Sequence, residues 1–188
     1  MISAPHLLIF ILKKLLAFCH FQSRQMSEIL TARHCYPTIR GGRHDQIRDQ
    51  IYQEAQRAGF NPKKEMPALI PGSQSRPADI FVEGWIDGRR TAFDVSVISP
   101  TQDAVIDRAA NIAASAIDHR KTEKIRKHAD NCLASGIHFQ PLVVETFGGW
   151  DPAAVKLLKA VATQCAPRKS LAPAMEIKQF FQRLSIAL

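Results

Sequence analysis

Ala78-Asp79-Ile80-Phe81-Val82-Glu83-Gly84-Trp85-Ile86-Asp87-Gly88-Arg89-Arg90-Thr91-Ala92-Phe93-Asp94-Val95-Ser96-Val97-Ile98 is the stretch whose reading decides the fold. Asp79 to Trp85 and Thr91 to Ile98 are rich in Ile, Val, Phe and Trp and read as strands. Asp87-Gly88 between them signals a two-residue hairpin turn, and Pro100 ends the second run. A symmetric turn sets Asp79 opposite Ser96 and Asp94 opposite Phe81. Asp94 and Ser96 are two apart, so they share a face. Asp79 and Asp94 then become diagonal neighbours on one face, about 7–8 Å apart at the backbone. Carboxylates so placed repel each other unless a cation sits between them, and a hard divalent ion, Mg²⁺ or Mn²⁺, suits such oxygen ligands. A one-residue slip of register would send the acids to opposite faces. The plainer alternative makes Asp79 a strand-entry residue and Asp94 a solvated one. Against it, Phe93 to Val97 reads as a central strand, where a charge needs a partner.

Upstream of this hairpin, Ile47, Ile51, Ala55 and Ala58 mark one face of a helix that Gly59 ends. A connector with Pro62, Pro67 and Pro71 follows, with a short strand expected near Glu65 to Ile70. Downstream, a long helix is expected from about Asp103 to Ala134, with the stripe Ile106, Ala109, Ala113 and Ile117 and a stop at Gly136. Phe139 to Phe147 reads as a buried strand. Asp151-Pro152 supplies an N-cap and first turn for a helix over 152–164. Ile177, Phe180, Phe181 and Leu184 mark a last helix from Met175 to Leu184. The order is helix, strand, strand hairpin, helix, strand, helix, which predicts an α/β fold: a mixed sheet flanked by helices.

The long helix carries a second clue. Its apolar stripe continues, by helical spacing, as Arg120, Lys124 and Lys127. A helix packed beside the hairpin can bring Lys124 to the two acids, where a cation stabilises the charge built up on an attacked phosphate. Lys121 is the second choice for that role. From His119 to His128 there are five Lys or Arg and one acid, Glu123. A solvated helix end with dipole-favoured cations gives the same composition. Glu54 and Glu65 are further candidate acids, although an exposed helical glutamate is the simpler account of Glu54. Arg43 and His44, at a helix start, are placed to contact phosphate, with a plain cap-region residue the equal alternative for His44, and Arg120 and Lys127 are further backbone contacts.

The chain has 188 residues, 46% of them hydrophobic, enough for one core of ordinary size. Its formal net charge of +8 suits a polyanion such as nucleic acid, or simply a basic solvated surface. The four cysteines form no CxxC pair and no dense disulfide framework, which points to a reducing intracellular compartment, nucleus or cytoplasm, rather than to secretion. Cys19-His20 and His34-Cys35 have no standard zinc spacing. Leu7 to Phe18, LLIFILKKLLAF, is too short and too charged at Lys13 and Lys14 to span a bilayer. Residues 1–37 read as a leader and 38–188 as the folded domain.

Arg76-Pro77-Ala78-Asp79, a gap of fourteen residues, and Asp94-Val95-Ser96-Val97 resemble the core of the PD-(D/E)XK nuclease superfamily. More narrowly they are similar to the restriction-like endonuclease domain of site-specific non-LTR retrotransposons, which moves a lysine from the strand to the following helix. Glu123-Lys124 and Lys127-His128 look like that helix motif, with His128 where an aromatic is usual. Arg43-His44-Asp45 resembles the family's Arg-His-Asn opening. Leu142 to Thr146 and Gly148-Gly149-Trp150 resemble segments of retroelement-derived reading frames. The resemblance implies a restriction-endonuclease-like fold and a metal-dependent endonuclease acting on DNA, including branched or RNA-paired DNA. It implies Asp79 and Asp94 as metal ligands, the Val95 carbonyl as a third, and Lys124 as the cation at the phosphate. The pattern departs in having Ala78 inside the Pro-Asp pair and Ser96 in place of the strand lysine. Two alternatives stand beside it. One is an inactive nucleic-acid-binding relative, with Lys124 turned away. The other is an interaction module, with the acids on opposite faces or paired to Arg89 or Arg90.

Overall fold

The computed structural model describes residues 42–71 and 77–188. The leader read over residues 1–37, with its cysteine and histidine pairs, lies outside the described residues, as does Arg76. The elements are α1 (Arg43–Arg57), β1 (Pro62–Lys64), β2 (Ile80–Val82), β3 (Thr91–Ile98), α2 (Ile106–Asn111), α3 (Ser115–Ala134), β4 (His138–Glu145), α4 (Pro152–Cys165), a 3-10 turn (Ala166–Lys169) and α5 (Pro173–Ala187). The sheet runs β1-β2-β3-β4, antiparallel except for the parallel pair β3–β4. A parallel pair needs a long crossover, and α2 and α3 supply it. The fold is mixed α/β, as the alternation of elements predicted.

Both faces of β3 are covered, because its residues alternate between two layers. Phe93 and Val95 join Ile80, Val82, Leu142 and Val144 in a core with α1, α4 and α5. On the other face Ala92 packs with Phe81, Phe139 and Cys132, and Ile98 with Val143, Ala116 and Ile117, under α3. Asp94 and Ser96 fall between these two apolar groups, on the α3 side.

The turn differs from the expected two-residue hairpin. Trp85 N–H donates to the Arg89 carbonyl at 2.9 Å, and Gly88 N–H to the Trp85 carbonyl at 2.7 Å. Gly88 has φ +77°. This is a three-residue loop closed by a left-handed glycine. Glu83 and Gly84 then stand against Arg90 alone, one residue too many, before Val82 pairs with Thr91 and Ile80 with Phe93. The loop and the extra residue each shift the register by one. Together they shift it by two, so every side chain keeps its face. Asp79 therefore adjoins Phe93 and Asp94, not Ser96, and the acids stay on one side.

Two other expectations are corrected. The first short strand is Pro62–Lys64 rather than Glu65 to Ile70, because Glu65 and Ala68 take positive φ, +44° and +53°, which ends extension there. The long helix is two helices, broken at Ala114 in the left-handed region. Val105 and Ile117 both pack with Ile98 and Val143. In one straight helix they would stand about 18 Å apart along the axis, so a bend is needed to place both on one patch. The cost falls on Ile106 and Ile112, which are exposed. Cys132 and Cys165 are free and buried. Among the described residues no helix is long and apolar enough to cross a membrane.

Candidate active site

Asp79 sits just ahead of β2, sewn to both neighbouring segments. Its N–H donates to the Phe93 carbonyl and its own carbonyl accepts from Glu65 N–H, each at 2.9 Å. β2 pairs only as far as Phe93, so the Val95 amide has no partner on that strand. A buried amide must find an acceptor, and the Asp79 carboxylate supplies it: Val95 N–H reaches Oδ2 at 2.7 Å. His44, in the first turn of α1, places Nε2 3.1 Å from the same oxygen and Nδ1 3.1 Å from Asp45 Oδ1. The hydrogen bond to Asp79 raises the His44 pKa to about 9, against the opposing effect of burial, with Asp45 adding to the rise.

Asp94 is buried on the α3 side. Lys124 crosses from α3 and meets both its oxygens, Nζ lying 2.9 Å from Oδ2 and 3.2 Å from Oδ1. Ser96, its neighbour on the same face, donates to Oδ2 at 3.4 Å. Burial pushes the Asp94 carboxyl above its ordinary value; Lys124 opposes this, and the charge of Asp79 adds to it. Asp79, Asp94, Lys124 and His44 thus form one charged group at the end of β2, with a lysine and a histidine against two carboxylates.

No protein-family model and no curated protein sequence matches this chain.

The other sequence candidates are placed as follows. Lys121 does not join the acids. Its Nζ lies 2.7 Å from Oδ1 of Asp151, the buried N-cap of α4. Glu65 borders the site through its backbone, while its carboxylate is held by Arg48 at 2.5 Å. Arg43 and Lys127 are exposed. Arg120 pairs with Glu123 at 2.8 Å, three residues along α3. His128, rather than Lys127, continues the sheet-facing line of α3: it is buried, its ring 5.6 Å from that of Phe139. Arg89 pairs with Asp87 and Arg90 with Glu83, so neither engages the two site acids.

Glu54 is not a third acid of this group. It is fully buried in a second cluster, where Arg183 Nη2 lies 2.8 Å from its Oε2 and 2.9 Å from Glu176 Oε1. Lys169 Nζ lies 2.6 Å from Glu176 Oε1 and 3.4 Å from both Glu54 oxygens. The candidate ligand atoms of Glu54, Glu176 and Cys165 fall within 4.8 Å of one another. Lys169 and Arg183 supply two positive charges to this fully buried acid pair. The pair Glu54–Glu176 was missed in the sequence, although a signal existed. Glu176 lies on the stripe of Phe180 and Leu184, and Glu54 beside that of Ile47 and Ile51. A carboxylate on an apolar stripe must find cations. Asp79 and Asp94 differ from this pair in exposure. Their side chains are 19% and 9% exposed, against 0% for Glu54 and Glu176.

Proposed function

We propose that the chain is a metal-dependent endonuclease domain that hydrolyses DNA phosphodiesters, derived from a non-LTR retrotransposon. The observation that carries this reading is the meeting of Lys124 with Asp94, across 2.9 Å from a separate helix, beside Asp79. An inactive relative with Lys124 turned away lacks that contact, and an interaction module with acids on opposite faces or paired to Arg89 or Arg90 lacks the grouping. Asp79 and Asp94 would hold Mg²⁺ or Mn²⁺. Such an ion, when bound, lowers the pKa of water and polarises a phosphoryl oxygen. The chain's own groups do the rest. Val95 N–H and His44 fix the Asp79 carboxylate, and Ser96 orients that of Asp94. Lys124 brings a positive charge to the place where an attacked phosphate gains negative charge. In the metal-free chain the hydrogen bond to Asp79 raises the His44 pKa and makes it a second cation beside the acids, with Arg43 exposed one residue before it. The charge of +8 favours a polyanion in the same direction. An intracellular site of action, nuclear or cytoplasmic, follows from that substrate.

The test is cleavage of plasmid and branched DNA by the purified chain in Mg²⁺, beside Asp94→Ala. Cutting that disappears in the variant and in EDTA supports the reading. Salt-sensitive DNA binding without cutting, unchanged by Asp94→Ala, makes the chain a nucleic-acid-binding remnant instead.

A further inference from the structure

Lys121 and Asp151 stand next to this group and take no direct part in it. Asp151 is buried and tied down three times. Its Oδ2 accepts from Ala154 N–H at 3.1 Å, its Oδ1 meets Lys121 Nζ at 2.7 Å, and its own N–H donates to the Val143 carbonyl at 3.0 Å. Val143 is the register partner of Ser96, which hydrogen-bonds Asp94. Asp151 is thus fixed to the sheet two residues along β3 from the acid that Lys124 meets.

The packing of α3 shows why this matters. Its buried residues are Ser115, Ala116 and Ile117 at one end and His128 and Cys132 towards the other. Between them a stretch about 15 Å long has no apolar anchor. Over that stretch two lysines one turn apart, on the same face, meet two buried carboxylates: Lys121 meets Asp151, and Lys124 meets Asp94. A bound divalent cation would compete with Lys124 for the oxygens of Asp94, leaving the Lys121–Asp151 pair to hold that stretch of α3.

We infer that Lys121 and Asp151 are positioning residues, whose ion pair sets the height and rotation of α3 so that Lys124 arrives at Asp94. The catalytic meaning of this pair rests on the endonuclease reading; the mechanical coupling does not. Two measurements keep them apart. The first is the rate at which an amine-acylating reagent labels Lys124, followed by mass spectrometry on the chain without metal or DNA. Lys121→Met and Asp151→Asn label Lys124 several-fold faster than the wild type, whereas Lys121→Arg labels at the wild-type rate. Asparagine can still cap α4 through its side-chain oxygen, so Asp151→Asn keeps the test alive if Lys121→Met does not fold. Unchanged labelling in folded Lys121→Met or Asp151→Asn overturns the coupling.

The second measurement is cleavage at saturating DNA and Mg²⁺. A misplaced Lys124 lowers kcat by about tenfold or more. KM moves by less than about threefold, the half-saturating Mg²⁺ concentration stays level or falls because Lys124 no longer competes for Asp94, and Lys121→Arg restores kcat. Loss of kcat together with metal affinity, or no loss at all, overturns the positioning role. If the wild type cuts nothing, the endonuclease reading fails, and the labelling result alone decides the coupling.

Discussion

Replacing Lys124 by methionine removes the cation from Asp94 while keeping an unbranched apolar stem one atom shorter. Asp94 is 6% exposed, and its carboxylate is then left without its charged partner. Removing one member of a fully buried ion pair costs about 3–5 kcal/mol. Lys124 is itself 24% exposed and Ser96 still donates, so the loss at pH 7 is about 2 kcal/mol. For a domain of this size that is a fall in Tm of about 6 °C. The loss depends on pH. Burial already holds the Asp94 carboxyl above its ordinary value, and without Lys124 it rises further. A folded-state pKa above the unfolded one means the folded chain binds the extra proton. The contribution is fully present below the unfolded value and lost as pH rises through the folded one. The gap between variant and wild type is therefore small near pH 4 and widens towards pH 7. Excess Mg²⁺ narrows it again, because the variant's acids bind the ion without competition from an ammonium; stabilisation at a hundred times Kd is about 2.7 kcal/mol. Urea unfolding from pH 4 to 8, with and without Mg²⁺, measures all three effects. A gap that is constant with pH and indifferent to Mg²⁺ would refute the idea that Lys124 compensates a buried charge at a cation site.

Three further outcomes follow from the same geometry. His44 titrates near 9 by NMR and falls towards an ordinary histidine value in Asp79→Asn, since the Asp79 hydrogen bond is the largest cause of its rise; its share of stability is present below pH 6.5 and lost as pH climbs through about 9. Against the opposing effect of burial, Lys169 and Arg183 hold the Glu176 carboxyl at about 2, so its contribution is present above its ordinary value of 4.5 and lost as pH falls towards 2; Glu176→Leu leaves Lys169 and Arg183 with Glu54 as their shared acid and costs about 2 kcal/mol in urea unfolding at pH 7. Gly88→Val strains the left-handed turn position, φ +77°, and lowers stability by about 1–2 kcal/mol while metal binding at Asp79 and Asp94 stays intact.

The sequence made the acid pair legible because its geometry is local. Period-two alternation places Asp94 and Ser96 together, and a hairpin joins Asp79 to them with few alternatives. The turn type was misread, yet the three-residue loop and the extra residue at Gly84 preserved parity, so the face survived an incorrect register. Lys124 was legible through helical spacing from Ile117. What was hidden depends on tertiary packing. The break at Ala114 exists because Val105 and Ile117 share one patch of sheet, which propensity does not report. The partners of Lys121 and Glu54 lie 30 and 129 residues away, at Asp151 and Arg183. Helical periodicity shows that such side chains face inward and says nothing of what they meet.

The central claim is that Asp79, Asp94 and Lys124 form one hydrolytic site. Its most direct test is single-turnover cleavage of labelled branched DNA at saturating Mn²⁺ by the wild type, Asp79→Asn, Asp94→Asn and Lys124→Met. The account predicts cutting by the wild type, no measurable cutting by either aspartate variant, and a loss of about 10²–10³-fold in Lys124→Met with DNA binding retained. Equal cutting by all four proteins, or none by a wild type that binds both Mn²⁺ and DNA, would contradict it.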